Sequence, residues 1–367
     1  MTTVRPSVDL SKVVSLADFE PLARRAMEPG AFDYVAGGAW DERSLGEAES
    51  AWRRRRLRPR VLVDVRHVDV ATTMAGQAVA LPVGVAPMAA HGLAHPDAEL
   101  ATACAAAAAG IPFTLSTMST SSIEAVAEAA PDGVRWFQLY AQADPRRSRR
   151  FVERAAAAGY SAILVTVDLP VLGYRERDLR SGFSLAVPHG NFADDAGPDH
   201  ASHAADPNGG YDNIESDLDQ GLTWPDIDTI RSWSSVPVFL KGILTAEDAR
   251  LAVEHGVAGI VVSNHGARQL DRAVATADVL EEIVTAVAGR AEVWVDGGIR
   301  RGLDVVTAVA LGARGVLVGR PILWALATGG QAGVQRALEI LRTETLIALT
   351  LLGARTPQEL NRAHVAG

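Results

Sequence analysis

The chain has 367 residues and contains one cysteine, few aromatic residues and no long apolar run. The lone Cys104 cannot form an internal disulfide, and its alanine-rich surroundings are typical of a helix, so we expect a small core thiol in a reducing compartment. No stretch reaches the ~18 consecutive apolar residues of a membrane span, and the N-terminus lacks the apolar core of a signal peptide. The sequence therefore predicts a cytoplasmic protein without a membrane partner.

An excess of positive charge is also absent. The chain has 35 lysines and arginines against 44 acidic residues, which gives a formal net charge of −9. Binding to a phosphate backbone depends on clustered lysine and arginine side chains, so nucleic acid is disfavoured as a partner. With 48% apolar and 22% charged residues, the composition is that of an ordinary globular protein.

Short apolar runs rich in β-formers alternate with helical stretches, which is typical of βαβ units and predicts a parallel sheet. Ser122 and Thr245 are candidate helix N-caps, and Gly110 and Gly159 are candidate helix ends. Eight strands are predicted, at 83–87, 113–116, 135–140, 162–168, 236–241, 259–263, 292–296 and 315–319. Eight strand–helix pairs favour an α/β fold of the (β/α)8 TIM-barrel type. An open doubly wound sheet is the alternative, but no glycine fingerprint follows the first strand.

The barrel is predicted to occupy residues 80–325 of a single domain that spans 1–367. Residues 1–60 precede the first strand and have the pattern of an N-terminal helical cap. Residues 326–367 are predicted to form C-terminal helices. A polar connection at 176–223, after strand four, is too long for an ordinary βα loop and predicts a lid.

Polar residues follow the predicted strands, at the rim where a barrel assembles its active site. Glycine and arginine after strands seven and eight would offer backbone N–H and guanidinium groups to a phosphate. His265, after strand six, has the chemistry of a base, and Asp168, after strand four, would hold its tautomer. Arg268, Arg175 and Tyr34 would converge on a carboxylate.

The run Ser263-Asn264-His265-Gly266-Ala267-Arg268-Gln269-Leu270 resembles the signature of the FMN-dependent 2-hydroxy acid oxidases. That family includes glycolate oxidase, lactate oxidase, mandelate dehydrogenase and hydroxymandelate oxidase. Further motifs similar to those of the family occur in the family order, from about residue 15 to the C-terminus. They are Tyr34 with Gly38, Arg58-Pro59-Arg60, Ala86-Pro87, His95-Pro96, Phe137-Gln138-Leu139-Tyr140, Thr166-Val167-Asp168, Lys241-Gly242, Asp296-Gly297-Gly298 and Gly319-Arg320-Pro321.

The resemblance implies one FMN-dependent hydroxy acid dehydrogenase domain and a role for each candidate residue. The catalytic residues would be His265, Asp168, Tyr140 and Lys241, with Lys241 as a fixed positive charge that stabilises the reduced flavin. The substrate would be bound by Tyr34, Met118, Tyr140, Arg175 and Arg268. FMN would be bound by Pro87, Met88, Ala89, Ser116, Gln138, Thr166, Lys241, Ser263, Asp296, Gly297, Gly298, Arg300, Gly319 and Arg320.

No metal is predicted. His91 and His95 are four residues apart, which is a spacing that metal ligands use on helices. Gly92 and Pro96 make this segment a turn, and no third ligand is evident.

The implied reaction is oxidation of an (S)-2-hydroxy acid to a 2-oxo acid, with O2 as acceptor and H2O2 as product. The residues allow both hydride transfer and a route through an α-carbanion. An alternative is a soluble dehydrogenase that passes the electrons to a quinone, a cytochrome or another acceptor. Residues 176–223 are polar where membrane-bound members carry an apolar insertion, and Ala89 stands where several dehydrogenases have glycine, so the oxidase is favoured. A flavin-binding protein without turnover and an FMN-dependent isopentenyl diphosphate isomerase are disfavoured, because neither needs the complete set of base and carboxylate residues.

Met118 is the main departure from the family pattern, because members such as glycolate oxidase carry an aromatic residue there. An unbranched thioether can move aside or contact an aryl ring. The stretch 89–95 resembles lactate oxidase and by itself favours a small substrate. We predict activity on a broad set of (S)-2-hydroxy acids of the lactate or mandelate type, with medium aliphatic or aryl side chains preferred over glycolate. The resemblance further implies a homo-oligomer, specifically a tetramer.

Overall fold

The computed structural model describes residues 8–185, 187–195 and 217–366 of the chain. Eight parallel strands pair in chain order, and the last pairs with the first to close a barrel. They are β1 (Val83–Val85), β2 (Phe113–Ser116), β3 (Arg135–Leu139), β4 (Ala162–Thr166), β5 (Val238–Ile243), β6 (Gly259–Val262), β7 (Glu292–Val295) and β8 (Gly315–Val318). The predicted (β/α)8 barrel is confirmed, and each strand end lies within two residues of its predicted position.

Helices surround the barrel and precede it. Three come before the first strand, α1 (Phe19–Ala26), α2 (Pro29–Ala36) and α3 (Arg43–Arg54). The others are α4 (Ala98–Ala109), α5 (Ile123–Ala129), α6 (Pro145–Ala157), α7 (Glu176–Ser181), α8 (Trp224–Ser232), α9 (Ala246–Glu254), α10 (Thr276–Val287), α11 (Gly302–Ala310) and α12 (Arg320–Leu352). Among the described residues, no helix is both long and apolar enough to cross a lipid bilayer.

The predicted helix N-caps and helix ends are found in the structure. The Ser122 hydroxyl accepts from the Ala125 N–H at 3.1 Å, and the Thr245 hydroxyl accepts from the Asp248 N–H at 3.2 Å. These side chains satisfy N–H groups that have no partner within their helices. Gly110 ends α4 in the left-handed conformation, with φ of +66°.

The barrel interior is filled by aromatic side chains that stack on one another. Trp294 lies between Trp136 and Phe239, with ring centroids 4.4 and 4.2 Å away. Such pairs add about 0.5–1.5 kcal/mol each beyond the area they bury. Because side chains on a strand alternate between its two faces, the residue two positions further on also points inward. The inward positions that follow Trp136, Phe239 and Trp294 are the polar residues Gln138, Lys241 and Asp296. Thr166 on β4 and Ser263 after β6 belong to the same polar layer.

Two connections depart from the regular pattern. After β4 the chain forms α7 and a 3-10 turn at Gly190–Asp195, and the helix that packs beside the barrel comes only at α8. Part of the predicted lid at 176–223 lies outside the described residues. The backbone of α12 is not helical at Gly329 and Gly330, so this element consists of two helices joined at a kink. The predicted domain boundaries stay predictions.

Cys104 lies on α4 and is half-buried rather than in the core. Its thiol donates to the carbonyl of Ala129 at 3.3 Å. The expectation of a core thiol is therefore only partly met, because this face of α4 meets the C-terminal end of α5 rather than the barrel.

Candidate active site

The carboxyl ends of the strands open into a cavity of about 1290 Å³, which includes its open mouth. Seventeen predicted site residues line it: Tyr34, Pro87, Met88, Ala89, Met118, Tyr140, Thr166, Arg175, Lys241, His265, Arg268, Asp296, Gly297, Gly298, Arg300, Gly319 and Arg320. The other four, Ser116, Gln138, Asp168 and Ser263, lie behind this lining and are hydrogen-bonded to it or to each other.

His265 and Asp168 form a directly hydrogen-bonded pair, although 97 positions separate them in the chain. The Nδ1 atom of His265 lies 2.8 Å from the Oδ1 atom of Asp168. On the other side of the ring, Nε2 lies 3.3 Å from the hydroxyl of Tyr140. A carboxylate acceptor at Nδ1 places the proton there, so Nε2 is left as the proton-accepting atom.

The turn that presents His265 has an uncommon backbone conformation. His265, Gly266 and Ala267 have φ of +58°, +64° and +60°, all in the left-handed region. This costs of order 1–3 kcal/mol for each residue other than glycine and persists only where the surroundings enforce it. A Cβ on Gly266 would lie 2.9 Å from a guanidinium nitrogen of Arg320, so a side chain here would also displace that guanidinium.

Burial keeps the imidazole neutral. It lowers the pKa of His265, and the charges of Lys241 and Arg175 lower it further, against the opposing effect of Asp168. Burial by itself would raise the pKa of Asp168, but the interaction with His265 and the charge of Lys241 lower it overall. Burial and the charge of Asp168 raise the pKa of Tyr140, so its phenol stays protonated. The site therefore holds a neutral imidazole, a carboxylate and a phenol at neutral pH.

Helix α2 positions the arginines at the mouth. The Arg268 guanidinium donates to the carbonyls of Tyr34 and Gly37, and the Arg320 guanidinium donates to those of Val35 and Gly37. Carbonyls at a helix C-terminus have no partner within the helix and carry partial negative charge. The two arginines therefore cap α2, and they fix Tyr34 beside the cavity, with the Arg268 Cζ atom 4.6 Å from the centre of its ring.

Among the described residues that line the cavity, the cations outnumber the anions, with Arg175, Lys241, Arg268, Arg300 and Arg320 against Asp296. Burial, followed by the charges of Arg268, Arg300 and Arg175, holds the pKa of Arg320 well below its usual range. Buried cations that repel one another in this way are stabilised by a bound anion. The cavity is accordingly suited to a ligand, or a pair of ligands, with more than one negative group.

The polar residues fit the FMN that the sequence resemblance implies. Lys241 Nζ donates to Ser263 Oγ at 2.9 Å and lies 3.3 Å from one carboxylate oxygen of Asp296. The other oxygen of Asp296, Oδ1, is buried and has no partner among the described residues, so it suits a hydroxyl donor such as those of a ribityl chain. Arg320 begins α12, whose N-terminus at the cavity suits a phosphate.

Arg300, the other predicted phosphate ligand, is already paired. Its Nε lies 3.0 Å from the carboxylate of Glu49 on α3, and its Cζ atom is 5.5 Å from the centre of the Trp324 ring. Glu49 therefore holds the guanidinium in place, a contact that the sequence did not predict.

Sequence reasoning missed the leucine and isoleucine side chains of the cavity wall. Leu169 and Leu172 come from the loop after β4, and Leu185 comes from the predicted lid. Ile299 and Leu323 lie near the glycines after β7 and β8. Leucine and isoleucine in a sequence look the same whether they face a core or a ligand, so no signal marked these residues.

His91 and His95 have separate partners in the structure. The Nδ1 atom of His91 lies 3.0 Å from the hydroxyl of Thr102, and His95 lies 3.6 Å from a carboxylate oxygen of Asp97. Within the described ranges, no three His, Cys, Asp or Glu side chains are grouped so as to hold a metal ion.

Comparison with known proteins gives consistent results. Residues 23–367 match the family model described as FMN-dependent dehydrogenase. The chain is 47% identical to L-lactate oxidase of Nostoc sp., covering 96% of this chain and 98% of that protein. It is 43% identical to glycolate oxidase of Spinacia oleracea, covering 97% and 96%. The crystal structure of mandelate oxidase with (S)-4-hydroxymandelic acid superposes with a TM-score of 0.90 at 45% identity, covering 96% of this chain and 98% of that one.

Proposed function

The chain belongs to the FMN-dependent 2-hydroxy acid oxidase family, and from this premise we propose that it oxidises (S)-2-hydroxy acids with aryl or medium aliphatic side chains. Its cofactor is FMN and its electron acceptor is O2. The observation that carries the substrate proposal is the make-up of one cavity: the His265–Asp168 pair, the arginines and an aliphatic wall all line it or stand directly behind it.

The arginines orient the substrate. Arg268 and Arg175 both lie near the Tyr34 ring, with Cζ atoms 4.6 and 6.0 Å from its centre, so their guanidinium groups face the same part of the cavity. A planar guanidinium makes two parallel hydrogen bonds to a carboxylate. The substrate carboxylate binds here, and the hydroxyl-bearing carbon is thereby directed toward His265.

His265 removes a proton from the bound acid. Asp168 accepts from Nδ1–H and stabilises the imidazolium that forms, while Tyr140 donates to the substrate oxygen. FMN held by Lys241, Asp296 and Arg320 would supply the two-electron oxidation that converts the hydroxy acid to a 2-oxo acid, with reduction of O2 to H2O2. Lys241, held by Ser263 and Asp296, would supply a fixed positive charge that stabilises the reduced flavin.

The experiment that tests this function is anaerobic mixing of the FMN-loaded protein with glycolate, lactate, 2-hydroxyoctanoate and (S)-mandelate, followed by admission of air. We expect bleaching of the flavin spectrum by the larger acids first, then rapid recovery of colour with one H2O2 per turnover. A flavin that no acid in the panel bleaches would refute the proposal. Slow recovery in air with rapid recovery on addition of a quinone would assign the chain to the dehydrogenases instead.

Met118 is the residue with which we test substrate range. Replacing it with tryptophan places a rigid ring in the wall, so we expect kcat/KM for (S)-mandelate and 2-hydroxyoctanoate to fall by about 10–100-fold while glycolate changes little. Steady-state kinetics on the four acids measures this. Ala71→Trp is the matched control, because Ala71 is exposed and precedes the two-stranded hairpin of Thr72–Met74 and Gln77–Val79 at the other end of the barrel. A parent that strictly prefers glycolate, or a variant that loses all four acids equally, would contradict the prediction.

We also infer a cytoplasmic homo-oligomer, and specifically a tetramer. Self-association is supported by two exposed apolar side chains one turn apart on α12, Ile347 and Leu351, which are 52% and 71% exposed, while the number of subunits and the compartment rest on the sequence analysis. Contiguous exposed apolar surface is typical of protein–protein contacts. Light scattering of the purified protein measures the assembly, and a monomer would exclude it.

A further inference from the structure

Gln269 carries a buried amide whose hydrogen bonds all cross to another loop. The residue is 9% exposed. Its Nε2 donates to the carbonyls of Val171 at 2.8 Å and Asp168 at 3.1 Å. Its Oε1 accepts from the N–H of Gly173 at 3.1 Å and from Nη2 of Arg175 at 3.4 Å. Both N–H groups and both acceptor positions of one amide are therefore used to join the loop after β6 to the loop after β4.

The loop after β4 depends on such contacts for its shape. Residues 167–175 between β4 and α7 form no helix or strand, so no regular ladder fixes them. The backbone of this loop lies directly against that of Gln269, because a Cβ on Gly173 would come within 2.3 Å of the Arg268 carbonyl oxygen and 2.7 Å of the Gln269 carbonyl oxygen. The fit leaves room only for glycine, and the Gln269 amide is the side chain that spans this contact.

The same loop carries two residues of the proposed mechanism. Asp168, at its start, bonds to His265 through Oδ1, while its buried Oδ2 has no partner in the described part of the chain. Besides the bond to His265, the carboxylate is positioned by its own backbone, whose carbonyl the Gln269 amide holds. Arg175, at the end of the loop, is held through its guanidinium by Gln269 Oε1 and by the Arg268 carbonyl, 3.3 Å from its Nε.

We propose that Gln269 is a positioning residue that fixes the Asp168 carboxylate under the imidazole and the Arg175 guanidinium at the substrate carboxylate at the same time. The inference rests on the proposed function, because it assigns Gln269 to the base and carboxylate sites of that reaction. A misplacement of about 1 Å in such groups lowers rates by about 100-fold.

The pH dependence of flavin reduction reports on this positioning. His265 must be neutral to accept a proton, and Asp168 raises the pKa of His265 by its charge and hydrogen bond. The other charged or titratable side chains that line the same cavity are Tyr34, Tyr140, Arg175, Lys241, Arg268, Asp296, Arg300 and Arg320. A carboxylate that moves away from the ring raises the pKa of His265 less, so the acid limb of the profile moves to lower pH.

Two substitutions test separately how Gln269 positions Asp168 and how it positions Arg175. In Gln269→Leu all four hydrogen bonds are lost, and we expect the rate of anaerobic flavin reduction by (S)-mandelate to fall 10–100-fold, KM to rise at least 10-fold and the acid limb to move to lower pH. Gln269→Glu keeps an acceptor for Gly173 and Arg175 but no longer donates to the carbonyls of Asp168 and Val171. This variant should keep KM within about 3-fold of the parent while the reduction rate falls.

The control is Gln358→Leu, which removes an amide that donates to Thr72 at 3.0 Å, outside the cavity. FMN content from the visible spectrum and the unfolding midpoint are measured for all three variants. If Gln269→Leu does not fold, the reduction rate and KM of Gln269→Glu test the inference by themselves. Reduction rates within 2-fold of the parent and unchanged pH profiles in the two Gln269 variants would overturn the inference. Equal losses of reduction rate in both variants, with an unchanged pH profile, would also overturn it. A parent whose flavin no acid reduces would instead refute the proposed function itself.

Discussion

Replacement of His265 with alanine is expected to lower the rate of flavin reduction by substrate more than 10⁴-fold. An acid–base residue usually contributes about 10²–10⁴-fold, and His265 has a second effect because its imidazolium stabilises the charge that develops in the transition state. The variant also leaves the buried Asp168 carboxylate without its only side-chain hydrogen bond among the described residues, which destabilises its ionised form where the substrate binds.

Stopped-flow absorbance after anaerobic mixing with (S)-mandelate measures this loss. The chain offers a matched control, because His255 makes the same type of contact with Asp228, Nδ1 to carboxylate at 3.0 Å, at the protein surface. His255→Ala should reduce its flavin as fast as the parent. FMN should remain bound to His265→Ala, since Lys241, Arg320 and Asp296 are unchanged. Equal rates in His265→Ala and the parent would place the base elsewhere.

The parent enzyme should keep its activity at neutral pH and lose it on acidification. Burial, with Lys241 and Arg175, lowers the pKa of His265 below the ordinary value of 6.5. The active form is the neutral imidazole, so the rate is full above this lowered pKa and falls as pH decreases through it. The same measurement therefore gives the reference profile for the substitutions at Asp168 and Gln269.

Asp168→Asn is expected to lower the rate of flavin reduction by about 10³–10⁴-fold although the side chain keeps its shape. The Asp168 carboxylate can only accept at Oδ1, which places the proton of the imidazole on Nδ1 and leaves Nε2 free to act as base. An asparagine amide can donate to Nδ1, and this stabilises the tautomer with the proton on Nε2. That tautomer cannot accept the substrate proton, and a comparable exchange in a serine protease triad costs about 10⁴-fold.

Asp228→Asn is the matched control, because it makes the same exchange in the surface pair with His255. It should leave the rate unchanged. The residual activity of Asp168→Asn should also show its acid limb at lower pH than the parent, since a neutral amide no longer raises the pKa of His265. A rate within 10-fold of the parent would show that Asp168 does not set the tautomer.

Much of the barrel and of its polar layer followed from short-range pattern. All eight strands were predicted from apolar runs, and the predicted ends were wrong by at most two residues, for example at β4, which ends at Thr166 rather than at Asp168. The period-two alternation of a strand then places Lys241 above Phe239 and Asp296 above Trp294. These features depend on neighbours in sequence, and so one sequence was enough to find them.

Resemblance to a family supplied the roles of residues that periodicity cannot assign. The strand-end positions already predict that His265 and Asp168 meet across the barrel, the resemblance agrees, and the structure places them 2.8 Å apart. Met118 was identified as a departure from the family and does line the cavity. Its effect on substrate range remains a prediction, because it depends on how the whole wall is built.

Tertiary structure alone decided how the loops hold these residues. Arg320 caps the carbonyls of Val35 and Gly37, more than 280 positions away in the chain, and Arg300 pairs with Glu49 on α3. Leu185 reaches the cavity from a connection that carries no apolar pattern, and Gln269 joins two loops by an amide. No local pattern encodes such contacts, because each exists only once the barrel has closed and brought distant loops to one rim. The sequence thus determined the strands and the chemistry at their ends, and the closed barrel determined which of those groups touch.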